Sequence, residues 1–176
     1  GDDSIHTHHD AMARVLGKIE ETLDHSVPNV LVGHAFVAGG QTSDSERVLS
    51  VGGSGTVSAD LFSAFSYTSL AHLHSPAAIK HPTIHYSGSL LKYSFSEANH
   101  KKSVNIVQME SDGTFSVEKR PLVPLRDMRE IKGYFEEIMD PAFYQEQNVE
   151  DYLNIILLDE GTIIDPIQKL RQVYPN

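Results

Sequence analysis

The chain has no cysteine, and this absence removes two classes of answer: a disulfide-stapled secreted scaffold and a thiolate zinc site. Strong metal ligands are then imidazole and carboxylate, supplied by 10 histidines and 24 acidic residues. No apolar run approaches the roughly 18 residues that suggest a membrane-spanning helix. No basic, apolar leader opens the sequence either, so a soluble, cytoplasmic protein with no membrane partner is expected. Positive charge is also scarce. With 14 Lys and Arg against 24 Asp and Glu, the formal net charge is -10, which argues against an autonomous nucleic-acid binder because backbone phosphates favour basic surfaces. It leaves room for an enzyme that holds phosphates through metal ions, whose charge lies outside this sum. The 176 residues suffice for one ordinary domain, or for part of one followed by a smaller second.

The polar opening GDDSIHTHHD crowds His6, His8 and His9 together and reads as a flexible end rather than a metal site. Met12, Val15, Leu16, Ile19 and Leu23 then recur at helical spacing, predicting an amphipathic helix over 10–24. Two short apolar runs, NVLV at 29–32 and YTSLA at 67–71, read as buried strands, the first as an inner strand of a sheet covered on both faces. The second run extends to Leu73 before Ser75-Pro76 ends it. Ile84–Tyr86 is a further short strand, and Ser87–Ser89 is a turn. Ser103–Met109 and Phe115–Lys119 flank an Asp112-Gly113 turn and should pair antiparallel, as the edge on which the sheet ends. The glycine-rich VGGSGTV at 51–57 lacks the lysine and hydroxyl of a Walker loop, so its glycines read as close backbone approach beside the His34 edge. Past Pro121 the pattern restarts. A strand is expected near 128–133, a short helix over 134–139 and a strong strand over 151–158. A last helix is opened by Asp165 as N-cap and Pro166 at its first position.

The informative residues are His34, which follows the first apolar run, and His72 and His74, a His-x-His pair after the second. Histidines at the ends of neighbouring strands can converge on one edge. Period two places His72 and His74 on one face of an extended segment, or at a strand-to-loop transition where each can grip a separate ion. Lone histidines such as His25, His81, His85 and His100 are more often surface or hydrogen-bonded residues. Hydrolysis by two metals also needs oxygen ligands that hold the ions about 3.5–4 Å apart. Asp2, Asp3 and Asp10 sit in a tail or helix start, and Asp44 and Glu46 read as a polar loop, so half an active site with no catalytic residue is expected. Lys92 and Ser89 are the candidates for contact with a phosphate backbone. Arg126 and Arg129 either touch phosphate or form a domain-pinning salt bridge with nearby acids.

Several blocks, in order, resemble one family. NVLVGHAFVAGG (29–40), TSDSERVLSVGG (42–53), AHLHSP (71–76), YSGSLLKYSFSEA (86–98), KKSVNIV (101–107), PLVPLRDMREIKG (121–133), DYLNIILLDEG (151–161) and KLRQVYPN (169–176) look like the later part of the SbcD family. These are the nuclease subunits of bacterial SbcCD complexes. The resemblance implies an α/β fold: the C-terminal part of a calcineurin-like metallophosphoesterase β-sandwich flanked by helices, followed by a small α/β capping domain. On it, 1–120 is the later part of the nuclease domain and 121–176 the truncated start of the cap.

The resemblance also implies roles. His34 and His72 would serve one of two divalent ions and His74 the other, with manganese the expected metal. The family's Asp-x-His, Gly-Asp and Gly-Asn-His-Asp blocks have no counterpart in the chain, so the fragment is expected to be inactive alone and vacant or partly filled. The full-length protein would be a double-strand 3'-5' exonuclease and single-strand endonuclease in DNA repair, recombination and replication. It would be a nucleoid-associated homodimer bound to an SbcC-like ATPase. Ala71 stands where the family has Gly, and Ser75-Pro76-Ala77 where it has Arg-Pro-Gln, which removes potential phosphate donors. Exposed apolar area is expected where the other sheet half would pack. Two other readings are a non-enzymatic capping or scaffold module that binds DNA or protein, and a phosphodiesterase acting on small molecules.

Overall fold

The computed structural model describes residues 4–46 and 55–176. Asp2, Asp3 and most of the VGGSGTV segment lie outside the described residues. The chain divides into two compact units: residues up to Leu91 with His100–Leu122, and Lys92–Asn99 with Val123–Asn176.

The first unit opens with α1 (His8–Glu20), which starts two residues before the predicted boundary because Thr7 and Asp10 form a capping box. His8 and His9 are therefore helical rather than part of a flexible tail, and His9 Nδ1 accepts the Ser58 backbone N–H at 3.2 Å. Leu16 is buried, and Met12, Ile19 and Leu23 pack on the same core. Val15 faces outward.

Next come β1 (Val30–His34), β2 (Phe36–Val37), β3 (Thr56–Val57), β4 (Tyr67–Ala71) and β5 (Ile84–Tyr86). The three longer strands form one parallel sheet in the order β1-β4-β5, and β2 and β3 form a separate parallel pair. Leu31 and Gly33 align with Thr68 and Leu70, which align with Ile84 and Tyr86. This face meets the core of Phe62, Phe65 and Leu73. The opposite face of β1 is open, with Val30 53% and Val32 78% exposed. Among the described residues β1 pairs with β4 alone, so it is an edge strand, not the inner strand expected. An apolar run records a preference for burial, and the layer that would satisfy that preference on this face is not among the described residues.

β4 stops at Ala71 rather than Leu73 because His72 takes φ +116, outside the extended range. β6 (Ser103–Met109) and β7 (Phe115–Pro121) pair antiparallel. In their turn Asp112 accepts from the Thr114 amide and hydroxyl, and Gly113 supplies φ +85. This ribbon is a sheet of its own, not the antiparallel edge of the parallel sheet. Side chains link the two: the Phe115 ring stands edge-on to Tyr67 at 5.0 Å and to His85 at 5.9 Å.

The second unit contains β8 (Met128–Gly133), α2 (Phe135–Ile138), α3 (Pro141–Tyr144), β9 (Tyr152–Leu157) and α4 (Pro166–Leu170). β8 and β9 are parallel, from Met128 opposite Tyr152 to Gly133 opposite Leu157. Parallel neighbours require a crossover, and α2 and α3 occupy it. Ile131, Ile138 and Tyr174 form the core, with the Tyr174 hydroxyl donating to the Ile138 carbonyl at 2.7 Å. Asp140 caps α3 through the Ala142 amide. Asp165 does not cap α4 as expected: its backbone is left-handed, φ 50 and ψ 51, and its carboxylate makes no cap bond.

Asp151 ties the start of both strands. Its buried carboxylate takes Arg129 Nε at 2.6 Å, the Asp127 amide at 2.8 Å and Asn148 Nδ2 at 2.7 Å. Asp151→Ala leaves a guanidinium and a backbone N–H without their acceptor, an expected loss of about 3 kcal/mol. A lowered urea midpoint for the unfolding of this unit would register it.

Candidate metal centre

The β1–β4 register places His34, the last residue of β1, opposite Ala71, the last of β4. One residue on, the positive φ of His72 turns the chain, a conformation that costs a non-glycine residue about 1–3 kcal/mol and persists only where the surroundings enforce it. The result is a contact between two imidazoles. His34 Nε2 lies 3.2 Å from His72 Nδ1, with the rings 5.2 Å apart and 73° inclined. Phe36 stands 5.8 Å from the His72 ring. Two nitrogens bound to one ion at about 2.1 Å and about 100° lie roughly 3.2 Å apart. The pair therefore fits one edge of a coordination polyhedron. Burial, reinforced by His34, holds the His72 imidazole below its ordinary pKa, while the Glu46 carboxylate opposes the shift. Neutral imidazole is the form a metal requires.

His74 is held by a different set of groups. Its backbone N–H donates to Glu46 Oε1, and its Nδ1 lies 2.7 Å from Ser45 Oγ. Glu46 Oε2 accepts the Ser43 amide at 2.7 Å. The His74 carbonyl accepts the Ser89 amide at 3.1 Å and Lys102 Nζ at 2.9 Å. Gly88 makes this approach possible. With φ +81, it lies so near that a Cβ there would be 2.6 Å from the His74 carbonyl oxygen and 2.8 Å from the Pro76 nitrogen.

The structure thus brings His34 and His72 together. Among the described residues no three His, Asp or Glu are placed to hold one ion. The expected convergence of three imidazoles becomes a pair with His74 as a neighbour, because the period-two argument ends with β4 and His72 and His74 belong to a loop. Glu46, read from sequence as ordinary loop polarity, and its neighbour Ser45 both contact His74. Their contact spans nearly 30 residues of chain, so no local pattern could have announced it.

Neither residue expected to touch DNA is presented for it. Lys92 is 10% exposed, and its ammonium meets the Ala98 carbonyl at 2.6 Å, Asp127 at 2.9 Å and the Met128 carbonyl at 3.1 Å. An ammonium has three hydrogens, and these acceptors match them. Ser89 Oγ takes Lys102 Nζ at 2.7 Å and donates to the Leu91 carbonyl at 2.7 Å. Arg126 and Arg129 pair with Glu150 and Asp151 inside the second unit. His81 Nδ1 accepts the Thr83 and Ile84 amides, and His85 stacks on Tyr67 at 5.1 Å.

Comparison with known proteins adds two findings. Residues 124–176 match the family model SbcD_C, described as the Type 5 capsule protein repressor C-terminal domain. The chain is also similar to SbcD, the nuclease subunit of SbcCD, from Staphylococcus epidermidis, 37% identical over 175 residues, or 99% of this chain and 46% of that protein. The chain spans about half the length of this curated relative.

Two measurements follow from the geometry. In an NMR titration without metal, His72 is expected to have a midpoint below the ordinary 6.5. Below that pH the unfolded chain binds a proton that folded His72 resists, so stability should fall as pH drops from about 6.5 toward the folded-state midpoint. Gly88→Ala should cost about 2 kcal/mol or more, from left-handed strain plus a backbone clash. It should also shift the His74 ring resonances, which a spectrum of the variant would reveal.

Proposed function

Because the chain belongs to the SbcD family, we propose that it supplies the strand-end histidines of a metal-dependent nuclease that cleaves DNA phosphodiesters and works with an SbcC-like ATPase. The observation that carries this reading is the 3.2 Å approach of His34 Nε2 to His72 Nδ1 at the ends of paired parallel strands. His34 and His72 would hold one divalent ion, and His74, through Nε2, a second; manganese is the metal proposed. When bound, such ions draw charge from a phosphoryl oxygen and make hydroxide available near neutral pH. The protein's own part is positional. β1 and the turn that follows β4 fix the bases of two rings, and burial favours the neutral form of His72. The net charge of -10 suits phosphate held through cations rather than through a basic surface.

The finer reading is that residues 1–120 belong to a nuclease domain and 121–176 to a cap. The full-length protein would act as a homodimer with double-strand 3'-5' exonuclease and single-strand endonuclease activity in DNA repair and recombination, at the nucleoid. Among the described residues no helix is long and apolar enough to cross a membrane. No carboxylate joins the two imidazoles in a ligand set of three among those residues, so this chain by itself is proposed to bind metal weakly and not to cut.

Manganese binding by the chain, followed by electron paramagnetic resonance, together with cleavage of a labelled DNA duplex, tests the proposal. Weak Mn2+ binding that disappears in a His34→Ala/His72→Ala variant, with no cleavage by either protein, is expected. Binding that survives the double substitution overturns the ligand assignment. Cleavage by the chain alone overturns the half-site.

A further inference from the structure

β1 stops pairing with β4 at His34, and β2 begins pairing with β3 at Phe36. Ala35 lies between the two ladders. Its amide reaches back to the Ala71 carbonyl at 3.2 Å, while its carbonyl accepts the Tyr86 hydroxyl at 2.7 Å. The same hydroxyl oxygen accepts the Val37 amide at 3.1 Å. One phenol therefore holds the backbone on both sides of Phe36, where the chain passes from one sheet to the next. A hydroxyl has one hydrogen to give and lone pairs to receive, so it suits a carbonyl and an amide two residues apart.

Tyr86 opens the YSGS run at the end of β5 and pairs with Leu70 of β4, so its side chain reaches past the middle strand to the end of β1. It is buried, as are Ala35 and Val37. Burial pushes its pKa up to about 12, so the hydroxyl keeps its proton throughout the neutral range. A buried tyrosine hydroxyl generally has a partner; what sets this one apart is which residues its partners flank. His34 precedes Ala35 and lies 3.2 Å from His72 Nδ1, and the Phe36 ring stands 5.8 Å from the His72 ring. Both rings that meet His72 thus rise from backbone that the Tyr86 hydroxyl pins. We propose that Tyr86 is a positioning residue for the His34–His72 pair, its hydroxyl fixing the chain from Ala35 to Val37 so that the two imidazole nitrogens keep the spacing one divalent cation spans. The inference rests on the metal reading above and extends it to a residue outside the ligand set.

Tyr86→Phe keeps the ring and removes one oxygen. In the metal-free variant, hydrogen exchange at the Val37 amide should accelerate, and the through-space NMR contacts between the His34 and His72 rings should weaken. Mn2+ binding, followed by electron paramagnetic resonance, should fall about 10–100-fold, the usual effect of removing an outer partner that orients a ligand. Tyr174→Phe removes a hydroxyl of the same kind from the second unit, where it donates to the Ile138 carbonyl, and should leave ring contacts and affinity as they were. Unchanged ring contacts or unchanged affinity in Tyr86→Phe overturn the inference, as does an equal loss of affinity in Tyr174→Phe, which would make the effect one of general stability. Sucrose favours the compact state; a Tyr86→Phe chain that stays unfolded even in sucrose shows a role in the whole core and overturns the specific one. If the unsubstituted chain binds no Mn2+, the metal reading fails, and the ring contacts alone decide whether Tyr86 positions the pair. If it binds through His34 and His72 but Tyr86→Phe has no effect, the positioning role alone fails.

Discussion

The parallel pairing of β1 with β4 is the constraint on which the rest of the first unit depends. Its register, Val30 opposite Tyr67 through His34 opposite Ala71, does two things at once. It turns Leu31 and Leu70 toward the core, and it ends both strands at the same level, so that His34 and the residue after Ala71 are neighbours. A slip of one residue would put the apolar set on the wrong face and separate the imidazoles. Packing energy thus specifies the geometry of the site.

Past the strand ends, a second set of contacts takes over. The His74 carbonyl lies under Lys102 and the Ser89 amide, and Gly88 is the residue whose missing Cβ admits that approach. Ser45 and Glu46 close on His74 from the other loop. His72 holds its left-handed backbone between these fixed points, as expected where local strain is sustained by its surroundings. Most of the polar side chains in this region serve to hold backbone. Lys92 and Ser89 show the same economy: both look like phosphate contacts in sequence, and both are engaged with carbonyls, a carboxylate or a lysine of their own unit.

Elements whose signals are local could be read from the sequence. The Asp112-Gly113 turn gave the β6–β7 hairpin, and the apolar runs located β1, β4, β5 and β9. The strand-end position of His34 was legible for the same reason. Long-range relations were not. Whether Val30 and Val32 are covered depends on what packs above them, and whether the β6–β7 ribbon extends the parallel sheet depends on hydrogen bonds between distant segments. The Glu46–His74 contact likewise joins residues far apart in the chain. Asp165 failed as a cap although it holds the right position and precedes Pro166, because a left-handed backbone aims its carboxylate away from the helix amides.

The sequence separation within the site has a consequence for the order in which the molecule assembles. His34 and His72 are 38 positions apart, whereas the β6–β7 hairpin closes across a few turn residues. Hairpins form in about 1–10 μs. Parallel pairings across long loops come later, because the entropy of loop closure precedes any reward from contact. The two imidazoles therefore meet only after their sheet has formed. A nascent chain would pass through its early folding steps before the His34–His72 contact is made.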